Sequence, residues 1–234
     1  MRPPRLALRQ VPHDAEILMA RPILHIADRN YSSWSLRPWL ALRHAGIEFD
    51  EAMHPLPDAV SPEGPAFRSI SPTGRVPALE IDGVVIADSL AICEWAAELD
   101  PGLWPEARLE RALARSAAAI MHSGFAALRS AAPVNIRRRS DSSRLPPAAL
   151  ADAGEMDALW RSWLQRSGGP FLFGGWSIAD AMFAPAATRF VTYAIDCSEE
   201  ASAYIARLME EPHMKEWIDL ALKEGRSLER YETA

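Results

Sequence analysis

Cysteine is scarce: Cys93 and Cys197 are the two in 234 residues, far apart and without CxxC spacing. Two such thiols build neither a disulfide framework nor a zinc knuckle, and they fit a reducing, cytoplasmic compartment. The six histidines, His13, His25, His44, His54, His122 and His213, fall at no ligand spacing such as HExxH, so no metal is expected. No apolar run approaches the length that crosses a membrane, and the first twenty residues lack the continuous apolar stretch of a signal peptide. A formal charge of -6 offers no general basic surface for nucleic acid. The local basic run at 137–139, with Arg144 nearby, reads as a solvated loop. There is no GxSxG elbow of a serine hydrolase and no internal repeat.

What is present is an ordinary globular composition, 49% hydrophobic and 24% charged, enough for one sizeable domain or two small ones. Residues 1–20 read as a disordered extension, or the natural start is Met19. PILHIAD at 22–28 reads as a short buried strand. NYSSWSLRPWLALRHAG at 30–46 follows, with Leu36, Trp39, Leu40 and Ile47 at helical spacing and Gly46 as a stop. Pro38, tolerated in a first turn whose amides lack partners, predicts a helix start near Ser35. Ser32 and Ser33 then lie just ahead of the helix, where free amides and the positive dipole end favour an anion. A hydroxyl held there could stabilise a thiolate or an oxyanion.

Residues 48–53 are expected as a second strand, closing a right-handed βαβ unit. The stretch 54–71 reads as irregular, with one helical turn at 66–70. VPALEI and VVIA flank Asp82-Gly83, a two-residue hairpin signal, so antiparallel strands follow. Pro77 stands at a strand start, where a cis Val76-Pro77 bond would expose the Val76 backbone to a ligand. Asp88 and Ser89 begin a helix running to Leu99 and suit either a helix cap or ligand contacts. Asp100-Pro101-Gly102 breaks the pattern, giving a thioredoxin-like α/β domain at 21–98, a linker at 99–105 and an all-α domain at 106–234. The second domain is predicted as helices at 108–132, 147–167, 177–193, 199–210 and 212–224. Ser177 and Asp180 form a capping-box pattern of structural purpose. Cys93, on an apolar helix face, reads as a small core residue.

The order of a thioredoxin-like half with Val-Pro and an acid-Ser pair, a linker, and a helical half with a Ser-x-x-Asp box resembles the cytosolic glutathione transferases from about Arg21 onward. The opening SSWSLR at 32–37 is similar to the Ser-Ser-Cys-x-x-Arg of the zeta class and the Ser-Pro-x-x-x-Arg of the tau class, as in serine-type bacterial members. Counting back from Arg37, the resemblance places the catalytic serine on Ser32, with Ser33 in reserve. It implies glutathione as co-substrate, without metal, held by the Val76 backbone beside Pro77, by Asp88 and Ser89, and by Arg75 and His54. It further implies a small hydrophobic electrophile in a pocket drawn from Trp34, Met121, His122 and Phe125, with Arg129 on the same helix, and a cytoplasmic homodimer. Two departures stand out: Trp34 replaces the zeta-class cysteine, and Asp88 replaces the common Glu or Gln. Isomerase or dehalogenase chemistry, and a non-catalytic binding or regulatory protein of the same fold, are the alternatives to a transferase.

Overall fold

The computed structural model describes residues 21–58 and 67–233, so the expected extension at 1–20 and the beginning of the turn at 66–70 lie outside the described residues. The first half follows the sequence closely. Strand β1 (Ile23–Ile26) buries Leu24 and Ile26 and pairs in parallel with β2 (Asp50–Met53), the two joined by helix α1 (Ser33–His44). Strands β3 (Ala78–Ile81) and β4 (Val84–Ile86) form the hairpin, in which Asp82 and Gly83 take φ of 50° and 77°. Both central residues of such a tight turn need that left-handed backbone, which Asp and Gly adopt most readily. The sheet order is β2-β1-β3-β4, with β3 antiparallel to β1, and α2 (Ser89–Leu99) packs against β3 and α1.

The helical half comprises α3 (Arg108–Ser123), α4 (Ala126–Ala131), α5 (Pro147–Ser167), α6 (Ile178–Thr192), α7 (Glu199–Glu210), α8 (Pro212–Lys223) and α9 (Glu229–Glu232). Among the described residues, single 3-10 turns also occur at Pro101–Leu103 and Ser142–Arg144. Helix α6 is the centre of the molecule: almost every residue of IADAMFAPAATRFVT is buried, and its alanines let α1 and α3 approach closely. Its start is fixed by Asp180, whose carboxylate accepts from the Ser177 amide at 2.9 Å and the Ser177 hydroxyl at 3.1 Å. Where α1 meets α8, the fully buried Trp39 and Trp217 rings lie edge to face at 5.3 Å. Burying each such side chain contributes on the order of 3 kcal/mol.

Three expectations are corrected. Helix α1 begins at Ser33, with Ser32 as its cap, so Pro38 falls in the second turn, not the first. The expected single helix at 108–132 is two, α3 and α4, broken at Gly124 and Phe125. A Cβ at Gly124 would lie 2.7 Å from the Ile120 carbonyl oxygen, and Phe125 adopts φ 58° while packing against Phe183. The basic run is solvated only in part: Arg139 and Arg144 are exposed, whereas Arg137 ties the Tyr31 hydroxyl at 3.1 Å to the carbonyls of Glu224 and Arg226.

Candidate functional site

The serine turn is held from three sides. The amides of Tyr31 and Ser32 donate to the Asp28 carbonyl at 3.1 and 2.8 Å, closing the chain between β1 and α1. Glu224 accepts from the amides of Arg29 and Asn30, and Asn30 reaches Asn135 at 2.9 Å. Asp28 itself is clamped by Arg226 at 3.1 Å. The loop that presents Ser32 is therefore fixed largely by residues far along the chain.

Within the turn, Ser32 Oγ accepts from the Ser35 amide at 3.3 Å and lies 2.7 Å from Ser35 Oγ. Ser35 is fully buried, and its Oγ already accepts from the Ala27 amide at 3.1 Å. A buried hydroxyl proton needs an acceptor, and Ser32 Oγ is the one at hand. Ser32 Oγ then receives two hydrogen bonds, filling its lone pairs and leaving its own proton to point away from the turn. Capping the helix and donating outward thus use different parts of one hydroxyl. Ser33, the first residue of α1, is half-buried and opens on a neighbouring cavity.

Around this turn the Val76-Pro77 bond is cis, with Val76 half-buried and Pro77 buried. Asp88 caps α2, its Oδ1 accepting from the Leu90 amide at 3.0 Å, while Oδ2 lies 3.3 Å from His122 Nε2. Both its oxygens are therefore engaged within the chain. Ser89 beside it is fully buried, and its Oγ has no hydrogen-bond partner. Such an orphan costs about 1–3 kcal/mol unless something fills it. His54 Nε2 lies 2.9 Å from His25 Nδ1, and its pKa is lowered by burial and then by the His25 charge, so His54 is a neutral group near pH 7. The Arg75 side chain is exposed, and its backbone is tied to Ser71.

A cavity of about 380 Å³ adjoins the turn, lined by Ser33, Trp34, Ala126, Arg129, Ser130 and Arg189. Trp34 is part of that lining. Met121 and Phe125 belong to the buried core, and His122 makes an edge contact with Trp34 at 5.2 Å. Arginines and serines line this cavity beside Trp34. The guanidinium carbons of Arg37 and Arg129 lie 4.2 and 4.7 Å from the Trp34 ring centre. Arg129 donates to the carbonyls of His122 and Gly124, where α3 ends. Arg189 donates to the Ala132 carbonyl at 2.8 Å and the Pro185 carbonyl at 3.0 Å. Ser35, Ser130 and Arg189 did not emerge as site candidates from sequence. For Arg189 a signal existed: it is the sole basic residue of α6, a helix whose residues are almost all buried.

Residues 31–99 match the family described as glutathione S-transferase, N-terminal domain. The chain is 29% identical over 182 residues to the maleylacetoacetate isomerase of Rattus norvegicus, covering 76% of this chain and 82% of that protein. Its structure is similar to that of a glutathione transferase homologue from Burkholderia gl BGR1 with bound glutathione, at TM-score 0.68 and 22% identity over 88% of this chain and 100% of the other. It is also similar to the theta class glutathione S-transferase of Xanthomonas axonopodis pv. citri with glutathione bound, at TM-score 0.62 and 26% identity over 84% and 96%. The chain therefore has the glutathione transferase fold, a four-stranded mixed sheet domain followed by a helical domain, and its residues 31–99 match the N-terminal domain of that family.

Proposed function

We propose that this chain is a glutathione-dependent enzyme of the serine type, in which Ser32 donates a hydrogen bond to the glutathione thiolate and the thiolate attacks an electrophile held beside Trp34. What supports this is the close Ser32–Ser35 hydroxyl pair at the helix entrance: with Ser35 as the donor, the Ser32 proton is free for a ligand. A thiol of this kind has an ordinary pKa of about 8.5, so most of it is protonated at neutral pH. A hydroxyl donor at a helix N-terminus favours the charged form and lowers that value. Ser32 is then a hydrogen-bond donor and not a covalent nucleophile, and the protein adds proximity between thiolate and electrophile.

The residues present fit glutathione. The orphaned Ser89 Oγ is a buried polar group awaiting a partner, suited to the γ-glutamyl carboxylate. The Val76 backbone is assigned to the cysteinyl unit. Arg75 and His54 are assigned to the glycyl end, Arg75 as a charge and His54 as a neutral hydrogen-bonding ring. Asp88, occupied as a cap and by His122, acts by orienting Ser89 and the start of α2. Ser33 faces the electrophile side.

A second reading is favoured by the match to the rat protein named maleylacetoacetate isomerase, which spans 82% of that protein. The same thiolate would add to an activated cis double bond, allow rotation about the new single bond, and be expelled to give the trans product. Transfer consumes glutathione and isomerisation does not, so a glutathione balance separates them. Among the described residues no helix is long and apolar enough to cross a membrane; a cytoplasmic homodimer is part of the proposal. The test is glutathione binding together with the pH dependence of the ultraviolet thiolate absorbance in wild type and Ser32→Ala. Absence of binding would point instead to a regulatory protein of this fold.

A further inference from the structure

The histidines stand at no ligand spacing in the sequence, yet the fold gathers two of them around one carboxylate. His44 is the last residue of α1, Glu211 caps α8, and His213 lies in the first turn of α8. Among the described residues these three each offer a ligand atom, and the three atoms lie within 4.8 Å of one another. Glu211 is 8% exposed and both histidines are half-buried. Glu211 Oε1 accepts from the His213 amide at 3.1 Å and Oε2 from the Met214 amide at 2.7 Å, so the backbone fixes the carboxylate while lone pairs remain on it. Nε2 of His44 is buried and 3.1 Å from Glu211 Oε1, without the geometry of a hydrogen bond. The rings are held too: His44 stacks on Trp176 with centres 3.4 Å apart and meets His213 edge to face at 4.9 Å. Glu216 Oε2 lies 3.8 Å from His213 Nδ1, while its Oε1 takes Arg43 Nη2 at 3.0 Å. A carboxylate beside a histidine is a common means of orienting a ring that ligates through its other nitrogen.

We propose that His44, Glu211 and His213 bind a divalent transition metal of the zinc type, and that the ion ties the end of α1 to the corner between α7 and α8. Two imidazoles and a carboxylate suit zinc and its neighbours, whereas calcium and magnesium call for oxygen alone. Bonds of about 2.0–2.2 Å to a tetrahedral ion set the ligand atoms about 3.3–3.5 Å apart, so the three need to close by at most about 1.5 Å. The His213 side chain, 33% exposed, has the room to turn inward. A fourth position is left to water. The negative end of the α1 dipole falls at His44 and favours a cation there, and the charge of Arg43 is met by Glu216. Ser32 lies at the other end of α1, about 18 Å along the helix axis, so the metal site stands apart from the thiolate chemistry and does not rest on it.

The test is calorimetric titration of the full chain with zinc chloride, free of glutathione and other thiols, with magnesium chloride as the comparison. One equivalent of zinc should bind with micromolar or tighter affinity, and magnesium should not compete. With zinc at about a hundred times its Kd, the thermal midpoint should rise by about 5–10 °C, because the ion binds the folded chain and not the unfolded one. His213→Ala leaves the carboxylate cap of α8 in place and should weaken zinc binding at least about tenfold. Glu211→Gln, which keeps an acceptor for the two amides and loses the charge, should do the same; if it fails to fold, His213→Ala carries the test alone. His25→Ala, outside the cluster, should leave the zinc affinity unchanged. No saturable zinc binding by wild type overturns the proposal. So does a zinc affinity that survives in His213→Ala, which would place the ion on other side chains.

Discussion

The Oγ atoms of Ser32 and Ser35 lie 2.7 Å apart, one turn from each other at the start of α1, and the deeper of the two also accepts from the Ala27 amide. Ser35→Ala removes the donor that fills the second lone pair of Ser32 and leaves the Ala27 amide unpaired. It should cost about 1–3 kcal/mol in denaturant unfolding, the penalty for one orphaned buried donor. It should also raise the pKa of bound glutathione, by less than Ser32→Ala does. A Ser35→Ala protein of full stability and unchanged thiol pKa would remove Ser35 from the account.

Arg37 gives a test of what a buried charge contributes to stability. It is wholly buried, bonded to the Met182 carbonyl at 3.1 Å and disfavoured by burial. Replacing a buried charge by an apolar group of similar volume is often neutral or stabilising, by about 1–4 kcal/mol. Arg37→Met should therefore keep or raise the thermal midpoint. A large loss of stability would show that Arg37 holds α1 to α6 through its bond to the Met182 carbonyl.

Asp180 sets a pH dependence. Burial pushes its pKa up to about 6, against the hydrogen bonds from Leu172, Ser177 and Tyr204 that pull the other way. The unfolded chain releases this proton near the ordinary value of 3.8. Between those values the native state holds more protons than the unfolded one, so this group's contribution falls as pH rises through the window. The stability of wild type minus that of Asp180→Asn should decline by about 3 kcal/mol across it, at about 1.4 kcal/mol per unit of pKa. At neutral pH the variant should be less stable by about 2–4 kcal/mol, because one of its two oxygens no longer accepts. A flat difference across the window would contradict a buried, proton-holding Asp180.

The two thiols should behave differently. Cys93 is fully buried, and burial pushes its thiol far up, so it stays protonated and closed to reagents. Cys197 is partly accessible, its thiol raised by burial and by Asp157 and Asp196. Titration with a disulfide reagent should count one slow thiol in the folded protein and two in denaturant. Rapid modification of Cys93 would mean that the α2 face opens.

Where neighbours in sequence decide the structure, the sequence could be read. Asp82-Gly83 sets its own turn, Ser177 and Asp180 set the start of α6, and the apolar runs set the order of strands. The break between α3 and α4 was not legible. An alanine-rich stretch tolerates one glycine at about 1 kcal/mol, and the left-handed Phe125 is selected by packing against Phe183, far along the chain. Ser32 was legible as a residue at a helix entrance, but its proton direction depends on Ser35 being buried under Ala27. The cationic cavity was not legible either, because Arg129 and Arg189 lie on two helices that the fold alone brings together.

The central claim is that Ser32 donates to a glutathione thiolate. Thiolate absorbance of glutathione bound at saturation, followed against pH in wild type and Ser32→Ala, tests it most directly. The account predicts an apparent pKa in wild type at least about one unit below the ordinary thiol value near 8.5, and a rise of about one unit in Ser32→Ala. Bound glutathione with the same apparent pKa in both proteins would contradict it.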